Sequence, residues 1–220
     1  MKYTSLFLIF IGTLLSFQSM ELQDKDWKLE KTKNEIQVYS RLVEGAPIKE
    51  GRFIFTVEAS LSSVVAILQD ANSFSEWAYR TPFAEVIETD HQGRLTYYSI
   101  GDFPWPFYDR DSVVASHVYQ DKETGIVYYT SSCVEGVKPV VEDLVRVDLM
   151  NTNCIIESQG NGTIKIDYRV LVDPGGYIPA WLINLFFDTG PIHYSENLRE
   201  YIKKPKYRDI ELSYIDDDWH

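Results

Sequence analysis

At 220 residues, 45% of them hydrophobic and 25% charged, the chain can enclose a substantial core and has the composition of a globular protein. Its formal charge of −12 excludes a basic surface for reading nucleic-acid phosphates and argues against electrostatic adhesion to anionic membranes. Two cysteines are too few for a closed zinc site, while fifteen tyrosines and five tryptophans favour strands and the walls of amphipathic cavities.

Residues 1–19 have the pattern of a secretory signal: Lys2, an apolar run over 6–15, and small residues over 16–19. The run is shorter than the ~20 apolar residues of a spanning helix. The expectation is an exported protein, periplasmic or secreted, with a folded domain over 20–205 and a polar, acidic tail over 206–220. Residues 216–218 are all aspartate, read as part of a solvated end.

From 27 to 58 the pattern is strand, turn, strand, turn, strand. Asn34 and Glu35 form the first turn and 45–47 the second, and Phe53, Phe55 and Val57 share one face. Ser60 or Ser62 can cap a helix whose buried stripe is Val64, Val65, Ile67 and Leu68. A connector over 72–79 holds Trp77. Strands are then predicted over 83–88, 94–100, 111–119, 126–133, 144–150, 154–158 and 163–172. The short connectors between them, 151–153 included, imply antiparallel neighbours. Cys133 and Cys154 sit in strand patterns, a setting that allows a disulfide in an exported chain but suits two buried thiols better.

The segment from 173 to 199 organises the rest. Asp173, Pro174, Gly175 and Gly176 end a strand, Pro179 opens a helix, and residues 180–187 are apolar almost all round. Such a helix must be covered on every face, by packed core or by a hydrophobic guest. Trp181, Leu185 and Asp188 form a stripe expected to face the sheet, with Asp188 at the mouth. Gly175, Gly176 and the Gly190–Pro191 pair are natural flexing points.

Four blocks, in order, resemble the START family of lipid-transfer domains related to steroidogenic acute regulatory protein and phosphatidylcholine transfer protein. They are EIQVYSRLVEGAPIKE from Glu35, the connector Trp77, FPWPFYDRD from Phe103, and Val145–Arg146 followed by GTIKIDYRVLVDPGGYIPAWLIN. The resemblance spans roughly 27–202 and is most specific in the last block. It implies an α+β helix-grip fold, a Bet v 1-like curved antiparallel sheet around a long C-terminal helix, with an apolar tunnel between them. It also implies binding and transfer of one lipid-like molecule, released by movement of that helix.

On this resemblance the inward residues are Leu95, Tyr97 and Ser99 on one strand and Ser112, Val114, Ser116 and Val118 on the next. The predicted ligand set is Tyr97, Ser99, Val114, Ser116, Arg146, Trp181, Leu185 and Asp188. The head-group chemistries of the family's phosphatidylcholine and sterol carriers are not reproduced. Phe74, Ser75 and Ala78 flank Trp77, Ser99 and Val114 stand where cage aromatics would fall, and Tyr97 and Ser116 replace an acid–arginine pair. A fatty acid, a sterol-like compound or a neutral lipid fits better. No cofactor or metal is implied, and a monomer making transient membrane contact is expected.

Arg110 and Asp111 read as a pair fixing a strand start, while Arg146 reads as a carboxylate partner if it points inward. The alternative is an enzyme of the cyclase or aromatase type on the same fold. His91, His117, His193 and His220 lie in no nucleophile-elbow, HExxH or P-loop context, and parity turns His117 outward. A third class, an interaction domain, requires the cavity to be filled by the chain's own side chains.

Overall fold

The computed structural model describes residues 26–43 and 48–219, without the side chains of Ala180, Trp181, Asn184, Leu185, Phe186 and Asp188. The signal pattern and the expected turn at 45–47 lie outside this description.

Ten strands form one sheet: β1 (Lys28–Lys33), β2 (Ile36–Leu42), β3 (Lys49–Glu58), β4 (Phe83–Thr89), β5 (Arg94–Gly101), β6 (Asp109–Gln120), β7 (Val127–Cys133), β8 (Leu144–Arg146), β9 (Leu149–Ser158) and β10 (Thr163–Asp173). Their order is β1-β2-β3-β10-β9-β7-β6-β5-β4, all antiparallel, with β8 attached to β6 in parallel. Among the described residues, four α-helices accompany the sheet: α1 (Leu61–Gln69), α2 (Phe74–Trp77), α3 (Ala180–Tyr201) and α4 (Pro205–Arg208).

Asn34 and Glu35, at φ of 52° and 61°, make the tight turn that joins β1 to β2. Alternation then decides the faces. In β3, Phe53, Phe55 and Val57 are buried while the residues between them are not. One inner row runs across five strands as Leu95, Ser116, Ser131, Thr152 and Val170, paired in register.

Two expectations are corrected here. Residues 151–153 are not a turn. Thr152 is buried between two exposed asparagines, so the polar triplet is ordinary strand alternation within β9. Nor is the sheet wholly antiparallel, because β8 runs alongside β6 from Asp109↔Leu144 to Asp111↔Arg146. Cys133 and Cys154 are free thiols.

α1 begins at Ser60, whose side chain accepts from the Ser63 N–H at 3.1 Å. Val64 and Val65, and Ile67 and Leu68, are buried as adjacent pairs, wider than one helical face. The second face is covered by the chain's end. Ser63 Oγ donates to the Tyr207 carbonyl at 2.7 Å, the Leu212 N–H to Ser62 Oγ at 3.3 Å, and the Ser62 N–H to Asp217 Oδ1 at 2.9 Å. Asp216, Asp217 and Asp218 are exposed, as expected of the acidic run, but the segment that carries them is docked on the domain. Tyr207 and Ile215 are buried, Gln120 accepts from the Asp216 N–H at 2.6 Å, and the Trp219 indole donates to the Lys122 carbonyl at 3.2 Å. Asp217 brings its negative charge to a helix N-terminus, where the helix dipole favours it.

Candidate functional site

α3 has two unlike halves. Its C-terminal half buries Ile192, Ser195, Leu198 and Ile202, a stripe at helical spacing. That half is tied down by polar contacts. Arg199 donates to the carbonyls of Thr56 at 2.8 Å and Asn34 at 2.7 Å, Asn197 to that of Trp77 at 2.8 Å, and the Tyr201 hydroxyl to Glu76 at 2.8 Å. Among the described residues, these anchors all fall at or beyond position 196, where Glu196 accepts from Asn34 at 2.5 Å.

The N-terminal half, from Ala180 to Pro191, overlies a cavity of about 320 Å³. Strands β2, β3 and β10 supply Val38, Gly51, Phe53, Tyr168, Val170 and Val172 as its floor. Ile183, Phe187, Gly190, Pro191 and Tyr194 form the helical roof, and Tyr79, Phe103, Pro174 and Ile178 come from the surrounding loops. No charged side chain is among the described lining residues. Gly51 permits a close approach: a Cβ there would stand 3.0 Å from the Phe187 ring, which would have to give way. Pro191 lies inside the helix and has no N–H, so the roof loses a backbone bond at that point.

Aromatic packing sets the limit of the cavity. Phe53 stacks on Tyr168 at 4.8 Å and meets Tyr194 edge-on at 5.6 Å. Tyr194 in turn lies 5.1 Å from Trp77, and Phe74 joins Trp77 to Tyr97, each edge-on, at 5.6 and 5.3 Å. Burial pushes the phenols of Tyr97, Tyr129, Tyr168 and Tyr194 well above their ordinary range or upward from it, so all are neutral.

The predicted ligand residues fall into three groups. Tyr97, Ser99, Val114 and Ser116 are on the inner face, but none is among the described lining of the cavity, because Phe74 and Trp77 occupy the space in front of β5. Ser116 Oγ donates to the Leu95 carbonyl at 3.3 Å, and Ser99 and Ser112 share a hydrogen bond of 3.0 Å. Arg146 is placed elsewhere. Its guanidinium grips Asp111 with bonds of 3.0 and 2.9 Å and donates to the carbonyls of Lys138 and Pro139 at 3.2 and 3.0 Å. Asp111 is fully buried, so Arg146 balances an internal charge and is fixed there. The side chains of Trp181, Leu185 and Asp188 lie outside the described residues. The floor on β2, β3 and β10 was missed, although Gly51 inside a strand pattern is a signal of close approach.

Arg110 ties the site to its hinge. It donates to the carbonyls of Tyr108 at 2.5 Å, Pro174 at 3.0 Å and Gly175 at 3.1 Å, and lies 4.2 Å over the Phe103 ring. Gly175 and Gly176 take φ of 68° and 66°, a conformation glycine adopts without steric cost. His117, on β6, is exposed on the outer face of the sheet, as parity requires, and His193 on α3 stacks on Tyr79 at 4.9 Å.

Comparison with known proteins bears on the same architecture. An uncharacterized protein of Pseudomonas aeruginosa is 28% identical over 181 residues, covering 82% of this chain and 88% of its own. The phosphatidylcholine transfer protein of Rattus norvegicus is 25% identical over 171 residues, covering 76% and 79%. Among solved structures, a STAR-related lipid transfer protein of Xanthomonas axonopodis superposes with a TM-score of 0.75 at 27% identity, covering 82% of this chain and 100% of that one. Human StAR-related lipid transfer protein 5 shares the fold, with a TM-score of 0.72 at 18% identity, over 88% and 95% of the two chains. The family model described as START domain matches residues 13–208. With its helix-grip arrangement of sheet and long helix, the chain belongs to the START domain family.

Proposed function

We propose that this protein binds one lipid-like molecule beneath the N-terminal half of α3 and carries it between membranes. The carrying observation is the apolar cavity of about 320 Å³, bounded by helix on one side and sheet on the other. Names among its relatives, phosphatidylcholine transfer protein and STAR-related lipid transfer protein, support the same reading.

Energetics favour carriage over storage. Each buried methylene gains ~0.8 kcal/mol relative to water, yet almost nothing relative to a bilayer interior. Uptake and release are then reversible once the roof opens. The gate is the half of α3 before Pro191, swinging on the positive-φ glycines 175 and 176, with the anchors at 196 and beyond as its fixed end.

Membrane contact is apolar in this reading. Trp105 and Tyr177 are 92% and 89% exposed, and they lie beside Phe103 and Ile178, which line the cavity. Two large aromatics at a cavity rim suit the membrane–water interface, and a chain of charge −12 has little electrostatic attraction to offer. The protein acts here as a carrier, not a catalyst. Of the tyrosines that line the cavity, Tyr168 and Tyr194 are held neutral by burial and do not supply a phenolate base at neutral pH.

The test is organic extraction of the purified full chain followed by mass spectrometry, paired with transfer of a fluorescent lipid between donor and acceptor vesicles. A stoichiometric apolar molecule and protein-dependent transfer are expected. An empty protein that moves no lipid would refute the reading.

A further inference from the structure

Three tyrosines, Tyr79, Tyr168 and Tyr194, are in the described cavity lining, and two of them, Tyr168 and Tyr194, face each other across it. Tyr168 projects from β10 in the floor and Tyr194 from α3 in the roof, and their rings lie 5.5 Å apart. Both belong to the edge of the hydrophobic core and keep some accessible surface, which faces the cavity.

Behind them the interior turns polar. Thr152 is next to Tyr168, and Ser116, Ser131 and Tyr97 surround Tyr129, all on the inner face of the sheet. A hydroxyl carries one donor and two acceptor sites, and its hydrogen rotates. The cluster can therefore present either an O–H or a lone pair to the cavity. Apart from Tyr79, which comes from a loop and stacks on His193 at 4.9 Å, the remaining described lining has aliphatic or phenyl side chains or is glycine.

We propose that the hydroxyls of Tyr168 and Tyr194 are the polar pole of the cavity and select a neutral, single-chain amphiphile ending in one hydroxyl or carbonyl group. This rests on the carrier reading and names the chemistry of its cargo. A carboxylate or ammonium would meet no described counter-charge, and burying an unpaired ion costs far more than burying a hydrogen-bonded hydroxyl. The volume of about 320 Å³ lies at the low end of the ~300–1,000 Å³ of small-molecule sites, which favours one chain over two.

Equilibrium dialysis of radiolabelled 1-decanol and of decane against the full chain tests the proposal. The proteins compared are the native form, Tyr168→Phe, Tyr194→Phe, the double variant, and Tyr128→Phe on the outer face as a control, each checked for folding by thermal melting. The expected result is a loss of decanol affinity of about tenfold in the double variant, the loss of hydrogen bonds to a buried hydroxyl, with decane affinity unchanged. The control should leave both affinities as they are. An equal change for decanol and decane, or no change for either, would overturn the polar pole while decane binding itself upholds the cavity. Failure of the native protein to bind either compound would overturn both.

Discussion

The guanidinium of Arg110 donates to the carbonyl of Gly175 at 3.1 Å and to that of Pro174 at 3.0 Å, joining the start of β6 to the hinge that precedes α3. One side chain thus connects the strand after the exposed Trp105 loop to the backbone on which the roof turns. Removing it should free the hinge. Arg110→Ala is expected to speed lipid release severalfold and to lower stability by roughly 2–3 kcal/mol, from bonds made by a charged donor. Arg110→Lys should restore little, since an ammonium cannot reproduce the planar fork. Stopped-flow transfer and urea unfolding measure both; an Arg110→Ala protein with native release kinetics would contradict the hinge role.

Gly51 offers the converse experiment. Its backbone is not in the left-handed region, and the space above it is occupied by the Phe187 ring at 3.0 Å from a built Cβ. Gly51→Leu should fill the floor and reduce lipid binding at least about tenfold, a steric loss in a site of this size. The melting temperature should fall only modestly, because the ring and the N-terminal half of α3 can yield. Binding that survives this substitution would place the lipid elsewhere.

The Asp111–Arg146 pair is predicted to matter for stability alone. Arg146→Met leaves a buried carboxylate without its partner, a change that costs about 3–5 kcal/mol. Lipid affinity per folded molecule should be unaffected, because neither residue lines the cavity. Denaturant titration and lipid binding on the same preparation separate the two effects.

Acid should destabilise the protein through specific carboxylates. Burial opposes ionisation of Asp167 and Asp70, yet the bonds from Arg52 to Asp167 and from Lys206 and Tyr207 to Asp70 hold both below the ordinary range. A carboxylate depressed in the folded state stabilises fully above its unfolded value, about pH 3.9, and loses that contribution as pH falls through the lower folded value. Melting temperature is therefore expected to drop steeply below about pH 4. Asp70→Asn should lower it at pH 7 and flatten the acid limb; an unchanged acid limb would contradict the assignment.

Much of the architecture was legible as alternation. Phe53, Phe55 and Val57 gave the face of β3, parity divided β6 into two sets of which the family resemblance named the inner one, and Ser60 marked the start of α1. Parity gives a face and not a depth. Tyr97 and Val114 do point inward, but whether space remains in front of them depends on Phe74 and Trp77, which arrive from a distant connector. The cavity consequently lies against β2, β3 and β10, where Gly51 makes room. Arg146 was ambiguous for a related reason: a strand residue's side is set by its neighbour, and β8 joins the sheet in parallel, against the antiparallel pattern of the rest.

The clasp between Ser62 and Asp217 spans 155 positions of the chain. A nascent polypeptide emerging from the ribosome can make α1 early, but cannot shield its second face until residues 207–217 have been translated. Long-range closure of this kind slows folding, so the unfinished chain carries an uncovered greasy surface for most of its synthesis. A bulky label attached beside Asp217 would press on that same clasp, and one attached far from it would not.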